Sequence, residues 1–320
     1  FADAEAKTGG LMGMSALPAI DWDPAYLAAV AADPEGDVPP TAEQIANSRQ
    51  QHCILYNNKN NYRRRSGTAQ RTSFMYTLDR LGYRGHYDAY DLQGFGNTNN
   101  CLGSRATEAH CTGYALLVQD TGRGASITVE DGSSNDSEKI NQAQWYRNWL
   151  ANGLTSEIGT ATLWIVGENV VQEKGTNPLF TTDMGVASPP TSQSDNGSGS
   201  LNPDVVGQGA FAFHNGCVVD FSADRFALQG GCPIQRNYDG LSPTTGTVTH
   251  RYMAGSVASA YGAIVMNRNP SFRWNTVMSA FGWFDVRDAF CPQSPPGACP
   301  NPGRAGRELL GSILACVLPV

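Results

Sequence analysis

Charged residues are scarce in this chain, and long apolar runs are absent from it. Asp, Glu, Lys and Arg make up 16% of the 320 residues, and 22 basic side chains face 29 acidic ones, so the formal net charge is −7. No acidic run and no basic tail accounts for this charge, and an acidic protein lacks the positive face that a phosphate backbone demands. No apolar stretch reaches the roughly 18 residues of a membrane-spanning helix. We therefore expect neither a nucleic-acid partner nor a membrane span.

Metal-binding spacing is also missing. The five histidines form no HxH or HxxxH pair, and the eight cysteines form no CxxC half-site, so zinc has no ligand set of the usual spacing. The stretch from Asp131 to Glu138 is rich in side-chain oxygens, which calcium prefers, but it lacks EF-hand spacing. A solvated loop that caps the following helix is the simpler interpretation. The sequence predicts no metal and no cofactor.

The cysteines favour disulfides, because they are even in number and several lie close together in loop-rich sequence. Eight cysteines allow 105 pairings in principle. The pairs that we predict are Cys101–Cys111, Cys217–Cys232, Cys291–Cys299 and Cys53–Cys316. Disulfides form in oxidising compartments, and the chain begins at Phe1 without a signal-like segment, which indicates that an N-terminal part was removed. We expect a secreted protein, extracellular or at the cell surface.

Strands and helices alternate from residue 53 onward. Short apolar runs bounded by polar residues, typical of buried parallel strands, occur at residues 53–58, 86–92, 114–122 and 161–169. An apolar stripe predicts a helix over residues 68–81, and Ser137 is a candidate N-cap for a helix that ends near Ala151. This alternation predicts an α/β fold with a doubly wound, mostly parallel sheet.

In the C-terminal half the predicted elements are mostly strands and no longer alternate with helices. Residues 210–221 read as a tight hairpin with His214, Asn215 and Gly216 at its turn, and further strands and a final helix over residues 303–318 follow. We expect β-rich additions to the sheet, after a flexible loop at residues 187–207. Residues 1–48 read as a lead-in segment or the remnant of an upstream module, and residues 49–320 as one domain.

These strings together resemble a known type of domain. The order CILYNN, LDRLGY, HYDAYDLQG, YALLVQDTG, NQAQWYRNWLANG and TLWIVGEN, with RWNTVMSAFGWFDVRD and RELLGSILACVL near the end, resembles the flavodoxin-like domain, related to class I glutamine amidotransferases, of large secreted bacterial proteins. The resemblance covers residues 51–320. It implies a flavodoxin-like fold and a place beside other extracellular modules.

The resemblance does not carry over a catalytic residue. An amidotransferase of this class needs a Cys at the turn after the third strand, and the turn here reads Gln119-Asp120-Thr121-Gly122. The resemblance therefore implies a domain that kept the fold and lost the activity.

Other catalytic patterns are incomplete. The string His214-Asn215-Gly216-Cys217 is the nearest to the catalytic dyad of gingipain-like or caspase-like peptidases. Cys217, however, is predicted to form a disulfide with Cys232. The string Ala254-Gly255-Ser256-Val257-Ala258 lacks the second Gly of GxSxG. The aromatic residues Trp274, Phe281, Trp283 and Phe284 are more typical of a core than of a sugar-stacking platform.

Basic residues cluster after the first predicted strand, where an α/β sheet binds its ligands. Arginines beside a helix N-terminus suit a phosphate, a sulfate or a carboxylate-bearing glycan, whereas a solvated polar loop is the alternative. Residues at the ends of neighbouring strands should line the same edge. The candidate ligand-binding residues are Lys59, Arg63, Arg64, Arg65, Thr68, Asp120, Thr121, Glu168 and Asn169.

Because no complete catalytic set is visible, the sequence favours a non-enzymatic extracellular or cell-surface structural or interaction module. Its partners would be other protein subunits or cell-surface components. A hydrolase, either a peptidase or an amidase, with an unrecognised site at the strand-end edge is one alternative. A module that binds an anionic small molecule or a glycan is the other.

Overall fold

The computed structural model describes about three fifths of the chain. The described residues are 20–21, 24–32, 41, 43, 49–50, 53–58, 74–75, 77–84, 86–91, 101–122, 129–132, 140–152, 160–187, 191–194, 204–228, 237–254, 257–283, 286 and 306–318. Predictions that fall on other residues, among them the disulfide Cys291–Cys299 and most of residues 1–48, lie outside the described part.

Fifteen strands and five α-helices are described. The strands are β1 (Ile20–Asp21), β2 (Arg49–Gln50), β3 (Ile54–Asn58), β4 (Asp88–Asp91), β5 (Leu116–Gly122), β6 (Ala161–Gly167), β7 (Thr191–Ser194), β8 (Asp204–Gly207), β9 (Ala210–Ala212), β10 (Val218–Asp220), β11 (Arg225–Ala227), β12 (Asn237–Gly240), β13 (Thr247–Ala254), β14 (Val257–Asn269) and β15 (Trp274–Ser279). The helices are α1 (Pro24–Ala32), α2 (Leu102–Arg105), α3 (Gln142–Ala151), α4 (Val170–Lys174) and α5 (Gly306–Val317), with a 3-10 turn at Glu108–Cys111 and a π-helical turn at Leu179–Asp183. Residues 74–75 and 77–80 are also helical.

One nine-stranded mixed sheet organises the described part. Its strand order is β11-β8-β13-β14-β15-β6-β5-β3-β4. The five strands from β15 to β4 run parallel, and the four from β11 to β14 are antiparallel to their neighbours. The protein is thus a mixed α/β protein, and the expected β-rich addition is the antiparallel half of the same sheet.

Apolar layers cover both faces of the parallel strands. On one face, Trp145 and Trp149 of α3 pack in a cluster with Leu117 and Leu163. A second cluster on the other face joins Phe74, Trp164, Trp283 and the apolar side of α5. Every residue of β5 and β6 is buried, as predicted for parallel strands between two layers.

Several local predictions need correction. Helix α3 starts at Gln142, because Asn141 is the N-cap and its side chain accepts from the N–H of Gln144; Ser137 lies outside the described residues. The segment 187–207 contains the strands β7 and β8, which pair with β12 and with β11 and β13. The hairpin prediction is confirmed by β9 and β10, which are antiparallel.

Candidate functional site

The carboxyl ends of the parallel strands form the edge at which ligands bind in open α/β sheets. After β3 the chain adds β4 on one side of it and then β5 on the other, so the strand order reverses between β3 and β5. A crevice forms at such a reversal, because the two connections leave in opposite directions. We call the strand ends at residues 57–58, 119–122 and 166–169 the switch-point edge.

Asp120 is the buried acid at the end of β5. Its Oδ2 accepts a hydrogen bond from the Tyr56 hydroxyl at 2.9 Å, and its Oδ1 accepts one from the N–H of Gly122 at 3.0 Å. Both carboxyl oxygens of Asp120 thus have a hydrogen-bond donor. Tyr56 stacks on Phe74 with ring centroids 4.8 Å apart, so core packing positions the donor.

Glu168 is a second fully buried acid, directly after β6. Its backbone N–H donates to the carbonyl oxygen of Gly122 at 2.8 Å. The register of β5 and β6 sets Asp120 opposite Val166. Beyond this pair the register shifts by one residue, since Gly122 lies opposite Gly167, and Glu168 directly follows β6.

Gly167, which has no side chain, allows the ends of β5 and β6 to lie close together. The Thr121 hydroxyl donates to the carbonyl oxygen of Val166 at 3.2 Å. A Cβ on Gly167 would lie 1.8 Å from that hydroxyl oxygen, so a larger residue at position 167 would displace Thr121. The glycine is needed for the geometry of the edge.

Helix α4 leaves the edge through an unusual turn. Asn169 is in the left-handed region, with φ 59°, and its side chain makes no capping hydrogen bond. Asp239 of β12 takes that role, since its Oδ2 accepts from the N–H of Gln172 at 3.1 Å. Burial raises the pKa of Asp239 to about 6, although the N–H groups of Gln172 and Val171 act to lower it.

A buried ion pair lies beyond the edge. Lys174 is buried and pairs with Asp131 at 3.3 Å, which brings the end of α4 to the segment that precedes α3.

The predicted site residues divide into two sets. The structure brings Asp120, Thr121, Glu168 and Asn169 together at the switch-point edge. Lys59, Arg63, Arg64, Arg65 and Thr68 lie outside the described residues. The role of both sets in ligand binding stays a prediction.

Sequence reasoning missed polar residues on the other face of the same strand ends. Asn57 and Gln119 are buried side by side beneath Tyr146 and Gln142 of α3. The available signal was two amide residues at the ends of otherwise apolar runs, since a buried amide needs a partner.

The disulfide predictions are wrong wherever the structure describes both residues. Cys217 bonds to Cys316, with Cα atoms 5.5 Å apart, and not to Cys232. Cys53, Cys101 and Cys111 are thiols, which corrects the pairs Cys101–Cys111 and Cys53–Cys316. The physical reason is that α5 packs beside β10, a contact that sequence spacing does not reveal.

The remaining candidate sites are simpler to place. Cys217 is bonded to Cys316 and has no free thiol, so it cannot form a catalytic dyad with His214. Trp274, Phe281 and Trp283 are buried core residues, as expected. In the described part of the chain, no group of three or more His, Cys, Asp or Glu side chains is arranged to hold a metal ion, and none of the described helices is long and apolar enough to cross a membrane.

No family model and no curated protein matches this sequence. Solved structures similar to the chain include Gan42B, a GH42 beta-galactosidase from G. stearothermophilus, with 10% identity, a TM-score of 0.37 and coverage of 75% of this chain and 29% of that one. Beta-galactosidases from Bacillus circulans sp. alkalophilus (10% identity, TM-score 0.39, 73% and 29% covered) and Halorubrum lacusprofundi (11%, 0.39, 73% and 28%) are similar to the same degree. The chain spans less than a third of the length of these proteins. Likenesses this weak assign neither a fold family nor an activity.

Two expectations are corrected at this point. No family model matches and the similar structures are beta-galactosidases, so the resemblance to a flavodoxin-like, amidotransferase-related domain finds no support. The prediction of a non-enzymatic structural module is withdrawn, because it rested only on catalytic patterns that were not seen, and an unrecognised pattern does not exclude an enzyme. Short strand and helix strings recur in many α/β folds, and this is why they misled.

Proposed function

We propose that the switch-point edge is the active site of a hydrolase that cleaves glycosidic bonds, with Asp120 and Glu168 as its two carboxyl groups. The observation that carries the proposal is the placement of two buried acids at the ends of adjacent parallel strands, where an α/β sheet binds its ligands. Glycoside hydrolysis needs two carboxyl groups that flank the scissile bond. The proposal does not rest on the weak structural likenesses.

Different surroundings suit the two acids to different roles. Asp120, held by the Tyr56 hydroxyl and the N–H of Gly122, serves as the base that removes a proton from the attacking water. Glu168 supplies its proton to the leaving oxygen as the bond from the anomeric carbon to that oxygen breaks. The net reaction adds one water across one C–O bond.

The proposal requires the edge to open to its substrate, because both carboxyl groups are buried in this structure. It also supposes that the parallel half is doubly wound, with helices on both faces directing their N-termini to this edge.

The test is a screen of the purified chain against nitrophenyl glycosides and unlabelled disaccharides, with NMR of the first-formed anomer. D120N and E168Q should each reduce kcat/KM at least about a thousandfold on any substrate that is cleaved. D204N is the matched control, since Asp204 is partly exposed and pairs with Arg225 on β11, at the antiparallel end of the sheet. Hydrolysis that survives in D120N and E168Q, or no hydrolysis of any glycoside, would refute the proposal.

We also propose that the protein works outside the cell or in another oxidising compartment. The disulfide Cys217–Cys316 supports this. Mass spectrometry of the native protein, alkylated without reduction, should find this pair intact. Alkylated Cys217 and Cys316 would contradict the proposal.

A further inference from the structure

Four polar side chains meet beneath helix α3, at the point where the strand order reverses. Asn57 is the next-to-last residue of β3, Gln119 is the middle residue of β5, and Gln142 and Tyr146 lie one turn apart on α3. All four are buried. We call them the amide cluster. It lies on the opposite face of the sheet from Asp120 and is independent of the proposed catalytic pair.

Hydrogen bonds determine which way each amide points. The Tyr146 hydroxyl donates to Gln119 Oε1. Asn57 Nδ2 donates to the same oxygen at 2.5 Å and to the Tyr146 hydroxyl oxygen at 3.1 Å. Since Nδ2 is the donor in both contacts, turning the Asn57 amide over would set oxygen against oxygen. Asn57 Oδ1 therefore points away from these partners.

The Gln142 amide is oriented in the same way. Its Oε1 accepts from the backbone N–H of Gly103 at 2.8 Å, so the nitrogen end is directed elsewhere. Its amide lies near enough to the Tyr146 hydroxyl to act with Asn57 in lowering the pKa of that group, against the larger effect of burial, which raises it, but Gln142 Nε2 makes no hydrogen bond to that hydroxyl. Asn57 and Gln142 thus flank one hydroxyl.

Each of these two amides has one atom left over. Within the described part of the chain, Asn57 Oδ1 and Gln142 Nε2 have no hydrogen-bond partner, although both are buried. Buried polar atoms are almost always satisfied by protein, water or ligand. One of these two atoms is an acceptor and the other is a donor. A single group that both donates and accepts would satisfy the two together.

We propose that the amide cluster is a binding site for one hydroxyl-type group, which donates to Asn57 Oδ1 and accepts from Gln142 Nε2. A bound water or a hydroxyl of a small uncharged ligand supplies it. The position at the strand-order reversal, where α/β sheets take up ligands, places this group under the crevice. It would tie the end of β3 to the start of α3.

A crystal structure of the full chain at high resolution, without polyol cryoprotectant, and of the same crystals soaked in glucose, tests the site directly. Density within hydrogen-bond distance of both atoms supports the proposal. Density unchanged by glucose identifies water, and density replaced by a glucose hydroxyl identifies a ligand. Side chains that satisfy each other directly, with no added group, would overturn it.

A double-mutant cycle tests the site in solution. Q142M and N57L are made singly and together, and unfolding is followed with urea. A shared bound group makes the effects of the two changes depend on each other, and the lost contact with Gly103 cancels because Q142M is made in both backgrounds. We expect a coupling of at least about fivefold in the unfolding equilibrium constant.

The matched control uses Q144M, the same change two residues along the exposed side of α3. Its combination with N57L should show no coupling beyond about 1.5-fold, as for independent sites. Additive effects of Q142M and N57L would overturn the proposal. If N57L does not fold, the crystallographic outcome decides alone.

Discussion

Replacing Asp239 with Asn should raise the stability of this protein at neutral pH and remove part of its pH dependence. Asp239 is buried on β12, and its carboxylate caps α4 by accepting a hydrogen bond from the N–H of Gln172. Burial raises its pKa from 3.8 to about 6 in the folded protein, because the low-dielectric surroundings disfavour the charge more than two backbone N–H groups favour it.

The direction in which the stability changes with pH follows from which state of the protein binds the proton of Asp239 more tightly. Between pH 3.8 and about 6 the folded state holds the proton of Asp239 more tightly than the unfolded state does, so this group stabilises the fold at low pH and that stability is lost as the pH rises through 6. A difference of about two pKa units corresponds to about 3 kcal/mol at 1.36 kcal/mol per unit. The free energy of unfolding of D239N, compared with the wild type, should therefore increase by about 2–3 kcal/mol between about pH 4 and pH 7.

Urea unfolding followed by tryptophan fluorescence at several pH values in this range measures the difference. D204N controls for the loss of a carboxylate, since Asp204 is partly exposed and paired with Arg225. The difference in free energy of unfolding between D204N and the wild type should not show the same increase between about pH 4 and pH 7. The Asn side chain keeps an oxygen for the N–H of Gln172, so the cap survives. A difference between D239N and the wild type that stays constant with pH, or that falls as the pH rises, would refute this reasoning.

Two other changes probe the packing of the antiparallel half. G207A should destabilise the protein by about 2–4 kcal/mol in urea unfolding, because the added Cβ would lie 1.5 Å from the backbone oxygen of Phe221; an unchanged midpoint would show that β8 moves aside freely. Replacing Cys217 and Cys316 with Ser opens a link between residues 99 apart in sequence and should cost about 3–5 kcal/mol, whereas C53S, which breaks no disulfide, should cost less than about 1 kcal/mol. If the double variant lost no more stability than C53S, the result would argue against the Cys217–Cys316 disulfide.

The sequence foretold those elements that depend on local patterns. The apolar runs that became β5 and β6 are buried along their whole length, as parallel strands must be when both faces are covered. The helix predicted to end near Ala151 is α3, which ends at that residue. Its buried side carries Trp145 and Trp149, because one side of a helix must be apolar to pack. The expectation that strand ends share an edge placed Asp120 near Glu168 without any knowledge of the register.

Other features depend on contacts that no local pattern encodes. The partner of Cys217 was misjudged because closeness in sequence is a poor guide once a helix from the far end of the chain packs beside a hairpin. The family resemblance failed for a related reason, since short strings describe the elements and leave their assembly open.

Sequence alone determined that this is an acidic α/β protein with buried parallel strands, because periodicity and burial are properties of a few consecutive residues. Only the tertiary structure decided that Asp239 caps a helix 67 residues away from it in sequence, and that Asn57 and Gln119 lie under Tyr146. Both outcomes arise from strand order and register. A one-residue shift in register would turn each of these side chains to the other face of the sheet, so their chemistry exists only in the assembled fold.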